Sequence, residues 1–183
     1  MDVPDCAAIA ARLRVLADLV ESSDVDDVGQ FSISFEAVRA ERPAAWLKEI
    51  KAWGVADYRY LYQFSISSDH SSRLRTAFFE AKEAKVGDRA YCRLNALPDG
   101  DTDSTALYVG GTQELSKRLT GHLGYGYGRT YAMHLSHWLP ELEGKLELQV
   151  WRYKSDVAPA TIQAIEDGLW AIRKPLLGRQ GAR

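Results

Sequence analysis

An α+β fold is predicted for this chain: a small antiparallel β-sheet, a hairpin plus a third strand, flanked by helices and carrying an α-rich N-terminal extension packed on it. Three observations point there. The short runs "RAYCRL", "TALYVGG" and "KLELQVWRYK" are rich in aromatic and β-branched residues and read as strands. Leu115, Leu119 and Leu123 recur every fourth residue, as in the buried stripe of a helix. Across the second half the order is strand, strand, helix, helix, strand, helix, that of an α+β domain with a small antiparallel sheet.

Taken in order, "DCAAIAARLRVLADLVES" spaces Ile9, Leu13, Leu16 and Val20 as one face of an amphipathic helix, which ends in the acidic turn "SSDVDD". Residues 35–53 are helical in composition, and Pro43 divides them by starting a second helix. "DYRYLYQFSI" alternates and reads as a strand. "SSDHSSRLRTAFFEAKEAK" opens on capping residues and continues as a helix through Leu74, Phe78 and Phe79. "DRAYCRLNAL" and "TALYVGG" are read as a hairpin joined by the turn-rich "PDGDTDS". A helix from about Gln113 to Leu123, the loop "GYGYG", a helix around "TYAMHLSHWL", the strand "KLELQVWRYK" and the helix "APATIQAIEDGLWAIRKPLL" complete the chain. No repeat or low-complexity linker interrupts it, so residues 1–85 are expected to form a compact α-rich layer packed on the domain of residues 86–183, rather than a tethered second domain.

Composition narrows the function. With 183 residues, 46% hydrophobic and 10% aromatic, the chain has enough apolar surface for a real core. Cys6 and Cys92 stand far apart, in no metal-ligand spacing, which indicates neither a disulfide framework nor a zinc site and fits a reducing, cytoplasmic setting. No apolar run approaches the roughly 18 residues of a membrane span, and the acidic start lacks the basic region of a secretion signal. The net charge of −2 hides an asymmetry. Residues 1–85 carry 11 Lys+Arg against 14 Asp+Glu, and residues 86–183 carry 12 against 11. The final "RKPLLGRQGAR" is wholly basic among its charged residues, a patch able to meet a phosphate backbone in a salt-sensitive way.

Within "ALYVGGTQELSKRLTGHLGYG", Arg118 and His122 lie one helical turn apart, each one position before a core leucine and so on the rim of the buried stripe. Two stacked cations repel, which points to an anion between them. In the last helix Ile162, Ile165, Leu169 and Ile172 form the core stripe, and Glu166 holds a similar rim position, where a carboxylate can keep its oxygens for a hard cation such as Mg²⁺. Taken singly, Tyr91 and Tyr108 read as cross-strand aromatics, Arg118 as a solvated helix residue, His122 as a helix-end imidazole and Glu166 as half of a surface acid pair with Asp167. His134 and His137 have no third ligand spaced nearby and read as polar members of a packed helix. "GYGYG" follows a helix rather than a strand, so it reads as a connector whose Tyr125 and Tyr127 are placed to stack on bases.

Together these residues resemble the GIY-YIG nuclease family: Tyr91 in a first strand, Tyr108 in "YVG", Arg118 ten residues on, His122 one turn beyond, and Glu166 in a final helix. The resemblance covers about residues 86–183. It implies an endonuclease that hydrolyses nucleic-acid phosphodiesters, DNA foremost, with one Mg²⁺ or Mn²⁺ held by Glu166. Arg118 is then implied to bind the scissile phosphate, Tyr91 to act as general base, Tyr108 to order phosphate or water, and His122 to take or share the Tyr91 proton. Lys117, Arg129, Lys174 and Arg179 are the candidate contacts to the nucleic-acid backbone. Two departures stand out: "KPLLG" puts Gly178 where the family usually has asparagine, and 17 residues separate Tyr91 from Tyr108, more than a short hairpin needs. The alternative reading is a non-catalytic nucleic-acid-binding or interaction module of the same fold.

Overall fold

The computed structural model describes residues 5–96 and 104–181. Helix α1 (Cys6–Glu21) is followed by strand β1 (Asp27–Ser34), α2 (Phe35–Ala40), α3 (Ala44–Trp53), β2 (Arg59–Ser65) and α4 (Ser71–Glu83). Then come β3 (Ala106–Thr112), α5 (Leu115–Leu123), β4 (Lys145–Tyr153) and α6 (Pro159–Arg173). The four strands form one antiparallel sheet in the order β1-β4-β2-β3 with helices around it, the predicted α+β class. Local chemistry sets several boundaries. Asp5 accepts from the Ala8 amide (3.0 Å) to start α1, Ser34 accepts from Ala37 (3.1 Å) to start α2, and Pro43 precedes α3, as its fixed φ favours.

The sheet corrects the expected hairpin. The partner of β3 is β2, in a register that sets Tyr62 opposite Gly110 and Phe64 opposite Tyr108. "RAYCRL" forms no strand: Tyr91 and Leu94 make single bridges, to Ala132 and Leu177. Of the expected connection at 98–104, all but Ser104 lies outside the described residues. β1 is not among the expected strands; with Gly29 and serines along it, it is stabilised by full-length pairing with β4. The sheet therefore takes two strands from each side of residue 85, and that position is no boundary within it.

Alternation along β2 sends Tyr60, Tyr62 and Phe64 into the main core with Tyr108, Leu115, Leu119 and Leu123, and Leu61 to the other face with Tyr153 and Ile162. Other expectations change with burial. Ile172 is 76% exposed, so the stripe of α6 ends before it; Phe79 of α4 is also exposed, while Leu74 and Phe78 are buried. α1 has no fully buried residue; it leans on α6 with Leu16 and Val20 half-buried and Leu13 60% exposed. "TYAMHLSHWL" contains only a single tight turn, Leu135–His137, entered through His134 at φ +53°, a backbone that cannot continue as α-helix. After α6 the chain turns back along β3, where the Leu176 and Leu177 amides donate to the Ala106 and Leu107 carbonyls (2.9 Å each). Among the described residues no helix is long and apolar enough to cross a membrane.

Candidate functional site

The site is built where β2, β3 and α5 meet. Tyr62 and Tyr108, from adjacent strands, stack with their rings 6.1 Å apart and 11° from parallel. Gly110 makes room for them, since a Cβ there would lie 2.8 Å from both the Tyr62 hydroxyl and the Tyr108 ring. Arg118, from the middle of α5, reaches across: Nε donates to Tyr62 Oη (3.1 Å), Nη2 to Tyr108 Oη (3.0 Å) and Nη1 to the Tyr131 carbonyl (2.9 Å). A guanidinium has one N–H on Nε and two on each Nη, so each terminal nitrogen keeps one further donor. Arg118 also lines a cleft of about 660 Å³ between α3 and α5.

His122 is fully buried rather than on the rim, because Phe64 and Tyr108 cover its ring. Its Nε2 lies 2.9 Å from Tyr62 Oη, and its Nδ1 accepts from the Met133 amide at 3.3 Å. The second bond assigns the proton of the neutral ring to Nε2, so His122 donates to Tyr62. Burial, then the Arg118 charge and then His134 hold this imidazole well below the usual histidine range, and it is neutral at neutral pH. Burial dominates the phenols too. It pushes Tyr62 up to about 12 against the pull of Arg118, with the Glu166 charge adding to the rise. Tyr108 is also raised well above an ordinary phenol, by burial first.

Glu166 approaches β3 from the opposite face. Gly111 admits it: a Cβ there would sit 2.5 Å from Glu166 Oε2. The carboxylate lines a hollow of about 20 Å³ with the oxygen-bearing side chains of Thr112, Gln113 and Gln163, beside the Arg59 guanidinium and the apolar Pro159 and Ile162. One carboxylate and these side-chain oxygens are the donors that Mg²⁺ or Mn²⁺ takes, with water and substrate oxygens completing the shell, while Arg59 adds a like charge beside it.

Four of the expected residues thus gather around β3: Tyr108, Arg118 and His122 in one hydrogen-bonded cluster, and Glu166 across the strand. Tyr91 does not join them. Its hydroxyl donates to the Val86 carbonyl (3.0 Å), and its ring packs on Phe78 and His134. Tyr62 stands in the place expected for Tyr91. Its signal is present in "YLYQFSI", which reads as a strand, but Ile66–Thr105 separates that strand from "YVG" in the sequence. Gly178 has φ +104°, and a Cβ on it would come 3.0 Å from the Tyr108 ring, so this backbone and this tyrosine position favour glycine over asparagine. Gln180, two residues on, donates to the Asp167 carbonyl (3.2 Å) instead.

Of the candidate backbone contacts, Lys117 lines the cleft, ion-paired to Glu114 at 2.8 Å, and Arg179 lies 5.5 Å over the Tyr131 ring. Arg129 is exposed in the loop after α5, and Lys174 caps α6 with φ +45°. His134 and His137 bond the Thr130 and Gly124 carbonyls, and among the described residues no three His, Cys, Asp or Glu gather as a metal group. Tyr125 is tied down, donating to the Val38 carbonyl (2.7 Å), whereas Tyr127 is 73% exposed. No family model, curated protein or solved structure gives a significant match to this chain.

Proposed function

We propose that this protein is a metal-dependent endonuclease of GIY-YIG type, hydrolysing phosphodiester bonds in nucleic acid, DNA foremost, with Tyr62 in the role the sequence suggested for Tyr91. The observation that carries the reading is Arg118: a guanidinium fixed by two phenols and a carbonyl, with a spare N–H on each terminal nitrogen, beside an open cleft. A paired fork of that kind matches two oxygens of a phosphate and meets the charge that develops during displacement. Tyr62 Oη accepts from Arg118 and from His122, two donors that pull against the burial raising it to about 12 and so toward the phenolate, the form that takes a proton from an attacking water. Glu166, with the Thr112, Gln113 and Gln163 oxygens beside it, would hold the divalent ion, which would supply positive charge near the phosphate and offset the effect of the carboxylate on Tyr62. Tyr108 keeps Arg118 in register.

The test is cleavage of plasmid and branched DNA with Mg²⁺ or Mn²⁺ by the purified protein beside Glu166→Ala and Arg118→Ala. Nicking by the parent with loss of about 100-fold or more in each variant is expected. Equal nicking by all three preparations assigns the cleavage to a contaminant. The second reading, a binding module without catalysis, is favoured by one observation: Tyr62 is 0% exposed, so its oxygen meets no water in this conformation. DNA binding without cleavage by the parent selects it.

A further inference from the structure

The cleft beside Arg118 has a second wall that comes from the N-terminal half of the chain. Arg42, just before α3, and Lys51, within it, face Lys117 and Arg118 of α5 across about 660 Å³ of open space. Four cations thus meet one carboxylate, Glu114, which Lys117 already pairs. Arg42 and Lys51 are exposed, and among the described residues neither side chain makes an ion pair or hydrogen bond. Such a concentration of one sign in a concave space attracts an anion, although the first half of the chain is acidic as a whole. Tyr127 also lines the cleft, its ring exposed.

We infer that this cleft is a track for an unpaired strand of nucleic acid, with Arg42 and Lys51 binding its phosphates and Tyr127 stacking on a base. This rests on the nuclease reading of Arg118 but assigns that site a substrate class, a strand with unpaired nucleotides next to the bond to be cut. Shape favours one strand. Duplex DNA accepts convex elements into its grooves, whereas a cationic recess of small-ligand size with an aromatic on its lining suits a single backbone and its splayed bases. The fold brings the two walls together through α3 on α5 and tethers the loop bearing Tyr127 through Tyr125 on Val38.

The experiment is a fluorescence-anisotropy titration of the full chain with a labelled oligothymidylate and with a duplex of equal length, in EDTA so that nothing is cut. Tighter binding of the oligothymidylate is expected. The double variant Arg42→Glu/Lys51→Glu weakens it at least tenfold and reduces the slope of log affinity against log salt by about 1.4, since each phosphate left without its cation on a single strand accounts for about 0.7. Tyr127→Ala weakens it several-fold with the slope unchanged. Arg42→Gln/Lys51→Gln, milder and at exposed positions, gives the same direction with unchanged circular dichroism. Unchanged affinity in the double variants, or tighter binding of the duplex, overturns the inference. The two readings fail separately: a parent protein that never cleaves with Mg²⁺ yet shows these binding changes leaves the track standing, and a parent that cleaves through Glu166 while ignoring Arg42 and Lys51 leaves the nuclease without it.

Discussion

Two tyrosines that look alike in sequence have different work in the fold. Tyr91 spends its hydroxyl on the Val86 carbonyl, whereas Tyr62 places its own between Arg118 and His122. Tyr62→Phe is therefore expected to lower DNA nicking by about 100-fold or more with DNA affinity retained, and Tyr91→Phe to leave nicking within a few-fold of the parent. His122 carries a pH signature of its own. The unfolded imidazole titrates near ~6.5, while the native one is held well below that by burial, with His134 lowered in the same direction by its own burial. Stability is thus fully present above about pH 6.5 and falls as pH drops from there toward the native value, because the unfolded chain takes up a proton the native fold refuses. Urea midpoints followed from neutral pH into the mildly acidic range should decline, and the decline should be shallower in His122→Gln. Arg118 and the Leu115, Leu119, Leu123 stripe are legible in the sequence because a helix registers its faces every turn. The burial of His122 is not, since Phe64 and Tyr108, which cover it, belong to other elements.

Strands lie where composition marks them at "DYRYLYQFSI", "TALYVGG" and "KLELQVWRYK", yet their pairing is not legible, because a strand's alternation describes its faces and says nothing about which neighbour it meets. The expected hairpin joins the nearest run in sequence, and "RAYCRL" takes the place that belongs to β2. The helix expected around His134 fails for a different reason: the left-handed backbone at His134 ends any helix there. The segment after α6 offers a direct check on the packing of β3. Introducing a side chain there, Gly178→Asn, forces it into a positive-φ position against Tyr108 and is expected to destabilise the fold by about 1–3 kcal/mol. The melting temperature of that variant should fall by several degrees, with nicking reduced alongside; an unchanged melting temperature would show that Tyr108 yields freely.

The molecule is held together across the division that composition suggested. β2 lies between β3 and β4, so the strand bearing Tyr62 is central to a sheet whose other half comes later in the chain. Residues 86–183 expressed alone are expected to lack cooperative unfolding by circular dichroism, since β3 and β4 would each lose their shared neighbour. Removal of residues 1–22 should be tolerated with a far smaller fall in melting temperature, because α1 buries no residue completely. The acid excess before residue 85 and the cations after it also meet in the fold, where Asp26 holds Arg152 at 2.8 Å and Arg152 lies over Trp53. The backbone bonds that Leu176 and Leu177 make to β3 act as a selvedge, finishing a margin that would otherwise offer unpaired amides and carbonyls to any passing chain. Trimming the protein after Lys174 would leave that margin raw, and concentrated samples would turn turbid by strand-to-strand adhesion between copies.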